Sequence, residues 1–373
     1  MKTGIATFGL DYGKCPPWLF ERMKRLGRLI TEAIVLEYGN NEFVRRMSDP
    51  FFFQSFGTVL AFDWDASGLT TTTTGALKEA LRGTERSLGI FVAGGKGKTS
   101  MKTPDDITRF AQWHSFNPTP LVYASKMAAK VDNTAVQDGF TLYHHSFVFT
   151  LRQGSGQAKE GIWTVIQQGM NTEKGRARRY HWLSEKVADF VEEPHAGIKD
   201  SGMSNVKFPI SNEKTLNLVA KKSRKTRDTS AKLVNSDFPN LVKDGIKALD
   251  YINFKFDRKR LEKSVQFAHD QKPANFEKLL GIKGIGPKTI RALSLISEII
   301  YGAKPSYADP ARYSYAHGGK DAIPYPVDKK TYDTSISVLE RAVKKARLGY
   351  YERLKALKKL QNYSGLDNSK RQE

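Results

Sequence analysis

In this chain of 373 residues, Asp132 and Asp138 flank the run "NTAVQ" just before an alternating stretch, "FTLYHHSFVFT", that carries His144 and His145. A second alternating stretch, "GIWTVIQQGM", carries Gln167 and Gln168. An acid ahead of a strand, a His or Gln on paired strands, and Lys126 or Lys130 nearby would suit metal-assisted phosphodiester hydrolysis. The catalytic set expected on this basis is Asp132, Asp138, His144, His145, Gln167 and Lys126. Neighbouring strand residues face opposite ways, so at most one residue of each His or Gln pair should enter a given site. The expected cofactor is a divalent cation, Mg or Mn, held by Asp138 with Asp63 and Asp65. In "FDWD" the latter two carboxylates share a face if the segment is extended. The plain alternative there is a strand-to-turn boundary with solvated acids.

Charge points to the partner. Lys and Arg number 60 against 39 Asp and Glu, a net charge of +21. A field of that sign favours polyanions, and nucleic acid, DNA first, is the expected partner. Three stretches offer contacts. "GIKGIGPKT" joins two apolar helical runs by glycines that let the backbone approach a ligand closely. Its Pro287 suits a helix start. Gly281, Gly284, Gly286, Lys288 and Thr289 are the expected phosphate contacts there, because the free N–H groups of the turn and helix start converge. "AGGKGKT" fails as a P-loop, since Val92 stands where a glycine is required, but its loop presents Lys96 and Lys98. "GRARRYHW" sets Arg178 and Arg179 beside aromatics, a group able to clamp phosphates and stack a base. The alternative for it is a helix with buried Tyr and Trp.

The glycine turn resembles the helix-hairpin-helix motif of DNA-binding and DNA-repair proteins, which implies contact with duplex phosphates without sequence readout. It is also similar to the helix-hairpin-helix DNA glycosylases. That resemblance implies an alternative site, with Lys288 as the lyase nucleophile and Asp328, in "YPVDKK", assisting departure of the base. A long interval containing "KPSYADPARYSYAHGGKDAIPYP" separates the two and is read as an insertion. Lys288 is read first as a phosphate contact and Asp328 also as a helix cap. Through "PPWLFERM", "SDPFFFQSFG", "FVAGGKGK", "KVDNTAVQDG", "QQGMN" and "YADPARYSYAHGGKDAIPYPVD", most of the chain resembles a prokaryotic family known only as domain of unknown function 763. That name carries no mechanism.

These residues need elements to position them. Leu19, Met23, Leu26, Ile30, Ile34 and Val35 recur at helical spacing, predicting a helix over 18–38 that ends at Gly39. "LGIFVAGGKGK" reads as a buried strand entering a glycine loop, and "LVYASKMAAKV" as a helix. "FTLYHHSFVFT" and "GIWTVIQQGM" read as a hairpin closed by "LRQGSGQAKE". The expected class is α+β: a mixed α/β domain over 1–210, putting catalysis there, a basic linker over 211–237 containing "KKSRKTR", an all-α helix-hairpin-helix domain over 238–350, and a basic tail over 351–373. Cys15 is the only cysteine, so neither an internal disulfide nor a thiolate zinc cage is available. No apolar run reaches spanning length and Met1–Pro17 lacks a signal-peptide core, so a cytoplasmic protein with no membrane partner is expected. The expected function is DNA processing by a metal-dependent nuclease. The alternatives are a glycosylase/lyase using Lys288 and Asp328, and a structure-specific DNA-binding protein without activity.

Overall fold

The computed structural model describes residues 5–9, 15–60, 67–152, 159–173, 175–195, 215–236, 238–252, 254–310, 329–345 and 356–357. A strand β1 (Ile5–Gly9) precedes helix α1 (Pro17–Tyr38), which starts on a proline in its first turn and stops at Gly39. The apolar spacing noted above buries Met23, Ile30 and Ile34 of α1. Helices α2 (Asn40–Met47), α3 (Pro50–Val59), α4 (Gly68–Leu81) and α5 (Glu85–Leu88) follow. Asp49 caps α3, its carboxylate accepting from the Phe51 and Phe52 amides. Then come β2 (Ile90–Lys96), α6 (Lys98–Met101), α7 (Thr103–His114) and α8 (Thr119–Lys130). A π-helical turn, Val131–Ala135, leads to β3 (Val136–Gln137), β4 (Thr141–Arg152), β5 (Lys159–Asn171), β6 (Arg176–Leu183) and β7 (Leu216–Asn217). The remainder is helical: α9 (Arg224–Asn235), α10 (Phe238–Tyr251), α11 (Arg258–Asp270), α12 (Phe276–Gly281), α13 (Pro287–Tyr301) and α14 (Lys329–Lys345).

Five strands form an antiparallel sheet in the order β1-β6-β5-β4-β2, and β3 pairs with β7 apart from it. Both faces of the sheet are covered. On one face Val148 and Ile166 join Ile30 of α1, Phe52, Phe53 and Phe56 of α3, Leu77 of α4, and Val338, Leu339 and Val343 of α14. On the other, Phe147, Val165 and Trp182 share a core with Met127 of α8, Leu279 and Leu280 of α12, and Ile290 and Leu293 of α13. The class is therefore mixed α and β around a small antiparallel sheet. The later helices share the sheet's core.

One expectation is corrected. The basic run 221–227 is folded: Ser223, Thr226 and Arg227 are buried at the start of α9. Arg227 donates to the Leu218 carbonyl at 2.7 Å and to the Ala220 carbonyl at 3.0 Å, and pairs with Glu192. A dense basic run reads as a solvated arm only while its acceptors, distant in sequence, are out of view.

The glycines at the end of β2 and just past it differ in what they tolerate. Gly94 has φ +84°, and an added Cβ would lie 2.2 Å from the His145 carbonyl oxygen, whereas Gly97, at φ +60°, has nothing within 4 Å of that position. Gly97 combines its positive φ with ψ −128°, outside the left-handed helical well, so Gly97→Ala should cost the backbone strain alone, about 1–3 kcal/mol. Gly94→Ala adds a backbone clash and should cost at least ~2 kcal/mol more. Urea unfolding of both variants measures the difference, and equal losses would contradict the β2–β4 register.

Candidate functional site

Strand alternation divides the polar residues of the sheet into two buried groups. His145 pairs with Gln167 and Gln167 with Tyr180 across β4, β5 and β6, while His144, Gln168 and Arg179 form the neighbouring row. On the face that carries α8, Gln167 Oε1 accepts from His145 Nδ1 at 2.7 Å, which leaves His145 Nε2 to accept from the Ser125 hydroxyl at 2.9 Å. Gln167 Nε2 donates to Asp132 and to the Ala128 carbonyl, the latter at 3.0 Å. Asp132 also accepts from Trp182 Nε1 at 2.8 Å and from His195 Nε2 at 2.5 Å. Its carboxylate is wholly buried, on the π-helical turn.

Asp138 sits beside this group. Its carboxylate meets Arg178 Nη1 at 2.7 Å and accepts from the Tyr180 hydroxyl at 2.8 Å and the Phe140 amide at 3.2 Å. Asp309 reaches the same guanidinium with both oxygens at 2.9 Å, and Phe140 lies under it. Burial opposes the Arg178 charge, and Asp138 and Asp309 outweigh it, holding the guanidinium above its usual range. Asp132 and Asp138, expected as catalytic groups, thus have their oxygens engaged by internal donors. Among the described residues no three His, Cys, Asp or Glu side chains converge as a cation site. Asp63, Asp65 and Asp328 lie outside the described residues.

The opposite face holds the second group. His144 Nε2 meets the Thr74 hydroxyl at 3.0 Å, so His144 does not join His145 and Asp132. Gln168 donates to the Ser67 carbonyl at 3.0 Å and to Tyr143. Arg179 reaches Gln54 at 3.1 Å and Thr70 at 3.3 Å, with Phe53 under its guanidinium. Arg178 and Arg179, expected to touch nucleic acid, are 2% and 1% exposed. They belong to β6 rather than to a surface helix, and both are occupied inside the protein. Thr289 is also buried, and Lys126 is exposed outside the two networks.

The glycine turn has a different character. Its inner side is fastened: Lys130 Nζ donates to the Ile285 carbonyl at 2.5 Å, and Gln137 Nε2 to the Pro287 carbonyl at 2.9 Å. Burial lowers the Lys130 pKa below the ordinary lysine value. Its outer side is open. A Cβ at Gly284 or Gly286 would meet nothing within 4 Å, and Lys283, Gly284 and Lys288 are exposed. Gly281 is also exposed, its added Cβ nearing only Met127. Gly284 takes φ +93°, which favours glycine. The amides of Lys288 and Thr289, in the first turn of α13, have no acceptor within the helix. Between this turn and α11 runs a groove of about 560 Å³ lined by Asp257, Lys259, Arg260, Lys263, Ser264, Phe267, Lys283 and Gly284. Sequence reasoning missed its α11 wall, although the spacing of Lys259 and Lys263 places two cations one turn apart. Lys96, the last residue of β2, and Lys98, the first of α6, are exposed on either side of Gly97, and nearby Asp106 holds Lys78 at 2.6 Å and the Gly94 amide at 3.0 Å.

The buried histidines set an acid limit. Burial, with lesser contributions from His145 and Lys96, brings His144 from 6.5 down to about 3. Burial and Arg179 push His181 well down, and burial also lowers His145. The unfolded chain takes up these protons as pH falls below 6.5, while folded His144 stays neutral to about 3. Stability is therefore full above that upper value and is lost as pH falls toward the lower one, by up to ~1.4 kcal/mol per pH unit per histidine. His144→Gln should lower stability at pH 7 and flatten its fall between pH 6.5 and pH 4.5, measured by urea unfolding at each pH. An unchanged pH slope would contradict this assignment.

No curated protein and no solved structure matches the chain. A family model described as "Protein of unknown function (DUF763)" matches residues 4–327. Spanning the sheet, both buried polar groups and the glycine turn, that match shows that the chain belongs to the DUF763 family.

Proposed function

We propose that this protein binds nucleic acid, DNA first, through its phosphate backbone at the groove between α11 and the turn joining α12 to α13. The turn is read as a helix-hairpin-helix. The observation that carries the proposal is the meeting of Lys259, Arg260, Lys263 and Lys283 around a glycine turn whose outer side is open. Among the described residues none of these four cations is paired with a carboxylate. Four cations gathered with one carboxylate, Asp257, in the same lining leave a net positive groove, and a polyanion relieves their mutual repulsion while releasing its own counterions. Backbone amides at the turn and at the start of α13 add uncharged donors for phosphate oxygens. Lys96 and Lys98 form a second set of contacts. Localisation in the cytoplasm accords with this reading, and no described helix is long and apolar enough to cross a membrane.

The proposal is of binding, not cleavage. Hydrolysis by Asp132 or Asp138 would need an oxygen free for a cation or water, and theirs are committed to Gln167, Trp182, His195, Arg178, Tyr180 and Phe140. Lys288 is read as a phosphate contact. It is exposed, whereas a lysine nucleophile is activated by a desolvated or strongly cationic pocket.

If roughly five phosphates are neutralised, log K for duplex DNA should fall against log[salt] with a slope of about −4 to −5. Lys259→Gln with Lys263→Gln should make that slope shallower by about two units and weaken all sequences alike. Fluorescence anisotropy across a salt series reads both quantities. A slope that ignores these substitutions would place the contact elsewhere, and binding indifferent to salt would remove the proposal.

A further inference from the structure

Phosphate recognition needs cations and amides, but one wall of the groove is neither. Phe267 of α11 is 47% exposed and stands within the same lining as Lys259, Arg260, Lys263, Lys283 and Gly284. Helical spacing places Lys259, Lys263 and Phe267 along one stripe of α11, so an aromatic ring ends a row of cations. Elsewhere on the helix Val265 and Ala268 enter the core. The ring is thus left outside on a helix that has an apolar face available for it. A duplex hides its base faces in the stack, and exposing one to such a ring costs the energy of unstacking it. A single strand offers both partners at once: phosphates for the cations and an unstacked base for the ring.

We propose that the groove is selective for single-stranded nucleic acid and that Phe267 is the platform on which one base stacks. This rests on the proposal that the groove binds nucleic acid, and adds the strandedness of the ligand. Stacking on an aromatic ring tolerates any base, so selectivity is for unpaired nucleotides, not for sequence. The role of Phe267 separates from charge: its loss should change affinity without changing the number of counterions released.

The test uses the full chain and three probes in fluorescence anisotropy: a 12-nucleotide oligo-dT, oligo-rU of equal length, and a 12-base-pair DNA duplex. Wild type should bind the single strands more tightly than the duplex. Phe267→Ala should weaken single-strand binding about tenfold, the scale of one base–aromatic stack. It should change duplex binding less than twofold and leave the salt slope unaltered. Phe267→Trp should restore single-strand affinity, with quenching of the new indole as the base stacks. Oligo-dT and oligo-rU differ in the 2′-hydroxyl and in the C5 methyl, and tight binding of either one supports the inference. Salt-dependent binding that is indifferent to Phe267, or a loss shared equally by duplex and single strand, would overturn the stacking role and leave the groove as a phosphate site. No salt-dependent binding of any probe would overturn both. Circular dichroism of each variant confirms that the exposed substitution leaves the fold intact.

Discussion

The burial of Asp132 is the constraint on which the rest of the structure depends. A carboxylate removed from water is tolerable only when its oxygens are fully engaged, and here Gln167, Trp182 and His195 engage them. Those donors come from β5, β6 and the segment after β6, so satisfying one charge fixes the π-helical turn against the sheet. Lys130 and Gln137 border that turn, and they are the side chains that hold the Ile285 and Pro287 carbonyls. With its carbonyls tied inward, the glycine turn has its open side outward. The chain of causes runs from a buried charge, through a short distorted helix, to the surface on which the proposed phosphate site stands.

The second ion network works similarly at longer range in sequence. Arg178 lies between Asp138 and Asp309, and the segment after α13 is drawn back onto the sheet by it. The Asn217 amide donates to the Ser306 carbonyl at 2.9 Å, and Asn217 Nδ2 to the Ala308 carbonyl at 3.2 Å, fastening that segment at two further points. Removing either acid would leave a buried guanidinium less compensated, which is costlier than never having buried the pair. The charged residues that looked most chemical in the sequence are thus the ones that fasten layers together.

Elements with a strong internal period were legible before the structure. The apolar recurrence over 18–38 matches Pro17–Tyr38, and the two alternating stretches are β4 and β5, paired antiparallel. Alternation also separated His144 from His145 and Gln167 from Gln168 correctly, because facing is a property of the strand itself. What could not be read was who pairs with whom. "GRARRYHW" looked like a cationic surface because Asp138 and Asp309, its partners, lie far away in sequence. "KKSRKTR" looked like a linker because Glu192 and the Leu218 carbonyl were not visible as its acceptors. The α11 wall escaped for the converse reason: its lysines are ordinary for a surface helix until the fold sets them opposite Lys283 and Gly284.

The claim at the centre of this account is that nucleic acid lies between α11 and the glycine turn. Amide hydrogen exchange, compared with and without a saturating oligonucleotide, tests it most directly. The account predicts slowed exchange in peptides covering 258–267 and 282–290, with the amides of β4, β5 and β6 unchanged. Slowing confined to other surfaces, or none in those two segments while the oligonucleotide is demonstrably bound, would contradict it.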